Sequence, residues 1–365
     1  MHTKTHTHMT NTLVQNSVSQ AYARDGKGIA VYGRYREAGY KVEPLVDKVG
    51  TRITENVSGT EAFQIAGLDW SVEKQPAFKF VEGEYLLDPD YQYIRRSDTN
   101  HDFQLVSKRY EPIQHTVIAD LFNYLSGEIE IENVLSIRNG AKCYATASIK
   151  VEDEVVPGDR VRRYLHAFNS HDGSSCFGVF FTDVRLACAN QLSRLVKREA
   201  RLAAPEHGFR RRHVGKVEEF SRDLPQLINM ERQSFYTSIS ELRDLTGIPL
   251  TDELTRRILE TTYAEKLSKD ITDRQTGKTR TRILTDLSEF STIRSHLSGS
   301  TGLGMDMEGV QGTVYGLFNA ITQCETHDGG RGQGRERNQA RLESLYNGNA
   351  AKRINITRDA CLALV

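Results

Sequence analysis

The run Asn169-Ser170-His171-Asp172-Gly173-Ser174-Ser175 places a hydroxyl, an imidazole and a carboxylate in one short segment. Those groups are the equipment of nucleophilic hydrolysis. With a divalent metal, His171 and Asp172 would instead equip a metal-dependent hydrolase or nuclease. Adjacent side chains rarely aim at one point, however, and triad members usually converge from separate segments. Asn, Asp, Gly and Ser are also the residues that a tight turn selects. Ser170, His171, Asp172 and Gly173 therefore stand as a motif without an assigned role, and no catalytic residue is assigned.

Charge segregation is the stronger chemical signal. Lys plus Arg equals Asp plus Glu over the whole chain, 48 each, so bulk charge predicts no polyanionic partner. Between residues 194 and 216, though, Arg194, Lys197, Arg198, Arg201, Arg210, Arg211, Arg212 and Lys216 face only Glu199 and Glu206, eight against two, a local excess of six. The first four fall at spacings of three and four, which puts them on one helix face. Arginine's planar fork matches phosphate oxygens. The alternative is a solvated face paired with acidic residues of 119–159. A second basic group comprises Arg331, Arg335, Arg337, Arg341, Lys352, Arg353 and Arg358. Its glycine-rich opening, HDGGRGQGRERNQAR, predicts a mobile arm able to order on a nucleic acid strand. Tyr91, Tyr93 and Arg95 share one face of a predicted strand, where tyrosines can stack on bases or simply pack in a sheet.

Other motifs fail on inspection. Thr276-Gly277-Lys278-Thr279 lacks the earlier glycine of a phosphate-binding loop. Gly302 and Gly304 lack the third glycine of a dinucleotide fingerprint. His2, His6 and His8 have no acidic or cysteine companion, and the five cysteines never form a C-x-x-C pair. The expectation is no cofactor, no metal and reduced thiols. The start of the chain has no apolar run ending in a cleavage site, and no stretch is apolar enough to span a bilayer. A soluble cytoplasmic protein with no membrane contact is expected.

The elements that would position these residues are α+β. Residues 1–28 are expected to form a disordered lead-in. Residues 29–190 read as a strand-rich region. It opens with a short helix in GTEAFQIAGLDW capped by Thr60, followed by an antiparallel meander over AFKFVE, EYLL, YQYIRR and FQLVSKRYEPI. A helix over 115–127 and strands over 140–151, 160–168 and 176–185 complete it. Residues 191–327 read as helix-rich, with Pro225 at a kink or first turn, an exposed loop or hairpin over 270–283, and a helix over 310–325. Residues 328–365 form the basic tail with a short closing helix. The whole predicts a curved antiparallel sheet packed by helices, followed by a helix-rich half.

Several of these segments resemble one family. They are GTEAFQIAGLDWSVEKQP, YIRRSDTNHDFQLVSKRYEPIQ, RNGAKCYATASI, YLHAFNSHDGSSCFGVFFTDVRLACANQL and TVYGLFNAITQCETHDGGRG, in this order along the chain. The sequence resembles the phage/plasmid-like proteins grouped as domain of unknown function 932. The resemblance implies a protein encoded by phages or plasmids and made in a bacterial host, in the company of replication and recombination functions. It implies no established activity. The leading expectation is a non-enzymatic nucleic-acid-binding protein that prefers single-stranded DNA, binds or anneals strands, and forms a homo-oligomer. The alternatives are a host-takeover or anti-defence factor that binds a protein, and a metal-dependent hydrolase or nuclease.

Overall fold

The structure, a computed structural model, describes residues 44–187, 190–191, 208–211, 213, 224–272, 279–283, 287–329 and 333–365. The expected lead-in, the basic run Arg194, Lys197, Arg198 and Arg201, and Arg212 lie outside the described residues. The chain is α+β, with antiparallel sheets in the N-terminal half and mostly helices in the C-terminal half.

The central sheet runs β1 (Thr51–Arg52), β5 (Ile129–Ile137), β6 (Lys142–Glu154), β7 (Arg160–Ser170), β8 (Phe177–Arg185) and β10 (Gly208–Arg211). β9 (Asn190–Gln191) pairs with the far end of β8. Every pairing is antiparallel. Alternation sends Cys143, Ala145, Ala147 and Ile149 of β6 to one face and Tyr144 to the other. Both faces are covered, which is why β8 is buried at every residue.

The first face packs against α1 (Gly59–Ile65), α2 (Thr116–Tyr124), α3 (Leu224–Thr246) and α7 (Val314–Gln323), all within one apolar core. The second face meets Leu45 and Val49, together with Leu342, Leu345 and Tyr346 of α8 (Gly334–Asn347) and Ala350 and Ile354 of α9 (Asn349–Leu362). The strand-rich and helix-rich parts thus share one core.

A second sheet joins β2 (Val72–Val81), β3 (Glu84–Arg96) and β4 (Asp102–Ser107). The runs EYLL and YQYIRR are one strand. Its inner residues Gln92 and Ile94 are buried, while Tyr91 and Tyr93 take the other face, as alternation requires. Beyond a register shift at Pro76/Phe78, the β2–β3 hairpin projects with both faces wet.

Local chemistry explains most helix boundaries. The cap of α1 is Ser58, two residues before the expected cap Thr60: its hydroxyl accepts from Glu61 N while Glu61 accepts from Ser58 N. That reciprocal capping box outcompetes a lone threonine. Thr251 and Thr313 cap α4 (Asp252–Thr262) and α7 with the hydroxyl half alone, accepting from Leu254 N and Gly316 N. Pro225 sits in the first turn of α3, where its missing N–H has no intrahelical partner to lose. α5 (Ala264–Leu267) leads into the hairpin of β11 (Ser268–Thr272) and β12 (Thr279–Ile283), and α6 (Ser288–Leu297) follows.

The basic arm expected to be mobile is helical from Gly334 on, and Arg331 lies outside the described residues. Residues Gly334–Asn347 form α8, and its arginines serve the fold. Arg341 is buried and bonds the Thr326 carbonyl, and Arg335 donates to Val49 O. Arg353 forks onto Glu325, and Arg358 meets Glu241 and Ser238. Lys352 pairs with Glu265. Ionic groups are buried in the sheet as well. Arg185 holds Asp159, which also accepts from Tyr315. Arg163 holds both Asp183 and Glu231.

Candidate functional site

His171 follows the last residue of β7 and points into the first face of the sheet, fully buried. Its backbone N–H donates to Ala141 O at 2.7 Å, which registers it beside Cys143 of β6. His115, the residue before α2, reaches the same point from the opposite side: its Nδ1 lies 3.2 Å from His171 Nε2. Its other nitrogen, Nε2, donates to Leu68 O at 2.9 Å, since a carbonyl can only accept. The ligand atoms of His115, Cys143 and His171 all lie within 4.8 Å of one another, and all three residues are buried.

Aromatic rings wall the cluster. Trp70 lies 4.1 Å from the His115 ring, and Phe103 stacks on His171 at 5.9 Å. Gly140 has φ +99, and a Cβ there would lie 2.6 Å from the Trp70 ring, so only glycine lets the indole close this side. The dry surroundings set the chemistry. Burial lowers His115 to about 4, and burial with the neighbouring His115 lowers His171 to about 3, so both rings are neutral at pH 7 with a lone pair to offer. Burial pushes the Cys143 thiol well above its ordinary value. Several buried polar atoms here have no hydrogen-bond partner: His171 Nδ1, Trp70 Nε1, Asn169 Oδ1 and His213 Nε2.

Asp172 is committed elsewhere. Ser170 Oγ and Ser174 N donate to its Oδ1 at 2.6 and 3.0 Å. Burial works against its ionisation, but these bonds outweigh it and hold the carboxyl below the ordinary range. No hydrogen bond joins Asp172 to His171, so Ser170, His171 and Asp172 do not line up as a triad. Gly173 takes φ +68 and closes the turn.

A cleft opens on the second face, lined by Asp47, Glu132, Thr146, Tyr164 and His166 among others. Burial raises Asp47 to about 6 despite its pair with Arg52. His166 is held between Thr146 and Thr182, and burial lowers it to about 3.

The sequence-designated binding residues fall in three places. Tyr91 is exposed and Tyr93 half-buried on the outer face of the small sheet, while Arg95 there is forked onto Asp102. Arg210 and Arg211 lie on β10, one of the two edge strands of the central sheet among the described residues, the other being β1. The rest of that basic run lies outside the described residues. Sequence reasoning did not single out His115 or Cys143.

A family model described as Domain of unknown function (DUF932) matches residues 102–346. The chain belongs to this family. No curated protein and no solved structure matches it. No helix among the described residues is long and apolar enough to cross a membrane.

Proposed function

We propose that the protein binds nucleic acid, preferring single-stranded DNA, as a strand-binding or annealing factor in replication or recombination. The observation that carries this reading is the excess of six positive charges over residues 194–216 in a chain of zero net charge. β10 brings part of that run, Arg210 and Arg211, to the last strand of the central sheet among the described residues. Cations gathered on an edge gain affinity by releasing the counterions condensed on a phosphate chain. The commitment of Asp172 to its serines favours binding over hydrolysis. The C-terminal arginines, folded onto their own carboxylates and carbonyls, are left out of the proposed interface.

The test is a fluorescence-anisotropy titration of labelled single-stranded DNA across salt. Contact with four phosphates predicts a log–log slope of roughly −3. Replacing Arg210 and Arg211 together by Ala is expected to reduce its magnitude by roughly 1.4. No binding at low salt would sink the reading.

A second reading, protein docking, rests on the β2–β3 hairpin. Phe78 opposes Leu87 and Phe80 opposes Tyr85, with exposures of 58, 56, 64 and 77%. Such a ribbon is marginal alone and gains by being covered. Its charged fringe is Glu82, Glu84, Asp88 and Asp90 against Lys79, which would repel phosphates. The fitting occupant is a second copy of this chain, whose 194–216 run has the complementary sign. Sedimentation is expected to show a homo-oligomer that the double change Phe80→Asp and Tyr85→Asp converts to monomer. A wild-type monomer at tens of micromolar, roughly the range of weak interfaces, would remove this reading.

A further inference from the structure

We propose that His115, Cys143 and His171 form a three-ligand binding site for a zinc-class divalent ion. The argument begins with proton placement. His115 Nε2 must carry a hydrogen to bond Leu68 O, so in the neutral ring Nδ1 presents a lone pair to His171 Nε2 at 3.2 Å. Two fillings of that gap exist. A proton on His171 Nε2 makes a hydrogen bond and leaves the buried Nδ1 a bare acceptor; an ion on Nε2 moves that proton to Nδ1, so Nδ1 lacks a partner in both fillings and does not choose between them. An ion between the nitrogens uses both lone pairs at once.

The distance fits the ion. Zinc–nitrogen bonds of about 2.05 Å at a tetrahedral angle place two ligand nitrogens about 3.3 Å apart. The observed 3.2 Å is that spacing. Cys143 Sγ lies within the same 4.8 Å cluster and offers the third ligand. Among the described residues its thiol makes one weak hydrogen bond, to Gly140 O at 3.6 Å, so ligation displaces little. The His115–Leu68 bond supplies the outer contact that fixes a ligating imidazole's tautomer and orientation. Trp70 and Phe103 shield the site from water. One imidazole from before α2, a thiol from β6 and a second imidazole from the end of β7 would let the ion pin the family's Ser-His-Asp-Gly turn to the first helical layer.

On binding, the Cys143 S–H bond breaks, its proton leaves to solvent and the thiolate sulfur takes the ion. Nothing is oxidised or reduced.

The full-length protein is stripped with chelator and titrated with cobalt(II), which reports tetrahedral sulfur ligation by visible bands and by a thiolate-to-cobalt absorption in the near ultraviolet. One ion per chain with both signatures is expected. Cys143→Ser is expected to abolish the thiolate band. His171→Ala is expected to weaken zinc affinity, measured by competition with a chromophoric chelator, by about a hundredfold or more. A His2→Ala, His6→Ala, His8→Ala triple variant removes the other histidine cluster and is expected to change none of this. Wild-type protein that gives only the octahedral aqua-cobalt spectrum overturns the proposal, whatever the variants do. So does a thiolate band that survives in Cys143→Ser, or binding lost in the N-terminal triple variant.

Discussion

Acidified from neutrality, the metal-free protein is expected to unfold cooperatively between about pH 5.5 and 4, ahead of general carboxylate protonation. Five histidines are buried among the described residues, and burial depresses four of them. Burial lowers His115 and His213 to about 4 and His166 and His171 to about 3. In the unfolded chain each titrates near 6.5. Below that pH the unfolded state takes up protons that the folded state refuses, so the stability present above 6.5 is lost as pH falls towards the folded values. Each group contributes roughly 1.4 kcal/mol per pH unit, and four together roughly 5. A domain stable by about 5–15 kcal/mol exhausts that margin within roughly one to three units. Asp47 acts in the opposite sense. Raised to about 6, it stabilises the protonated folded state, fully so below about 4, and that contribution is lost as pH rises through 6. One such group does not offset four. Circular dichroism with urea melts at successive pH values measures the slope. His166→Gln, which can still bond Thr146 and Thr182, is expected to flatten it by roughly 1.4 kcal/mol per unit. Wild-type protein still folded near pH 3.5, roughly the folded pKa values themselves, would show that these rings gain protons without unfolding.

Elements with a clean period were legible in the sequence. β7 and β8 and the α7 helix carry apolar spacing that admits one reading, and the realised bounds Arg160–Ser170, Phe177–Arg185 and Val314–Gln323 fall close to the expected ones. β5 was missed because Glu130, Glu132 and Asn133 interrupt Ile129 and Ile131 and read as an acidic surface. Asn133 is in fact fully buried, its amide donating to Asp47, a partner far away in the chain. The C-terminal tail was misread for the same reason. Arg335 and Arg341, in the glycine-rich stretch, read as mobile until their acceptors Val49 O and Thr326 O are found, and those are visible only in three dimensions; the expected closing helix is α9. The histidine–cysteine cluster leaves no local trace, since its members lie 28 residues apart on three elements. Only His171 drew attention, and it did so through a turn motif whose carboxylate turns away from it.

Asp159→Ala is expected to destabilise the protein by about 3–5 kcal/mol, the cost of leaving a buried charge unpaired. Asp159 and Arg185 are both fully buried, with Arg185 Nε 2.6 Å from Oδ1. The other carboxylate oxygen, Oδ2, accepts from Tyr315 Oη at 2.8 Å. Removing the carboxylate strands a guanidinium that also donates to Leu303 O and Gly304 O, and leaves the Tyr315 hydroxyl without its acceptor. Gly304 sits at φ +68 with its position so close to Arg185 that a Cβ would fall 2.7 Å from Nη2, so the loop cannot readily be reshaped around the loss. Replacing the pair with apolar residues, Asp159→Leu with Arg185→Met, is expected to recover most of the stability, because both desolvation penalties then vanish together. Urea melts of the two singles and the double close the cycle. If the double is as unstable as Asp159→Ala, the pair contributes net stability through its hydrogen bonds. If it recovers, the pair's role is specificity: Arg185 is the residue through which β8 selects the loop ahead of α7, and with it the seating of the helical layer on the sheet.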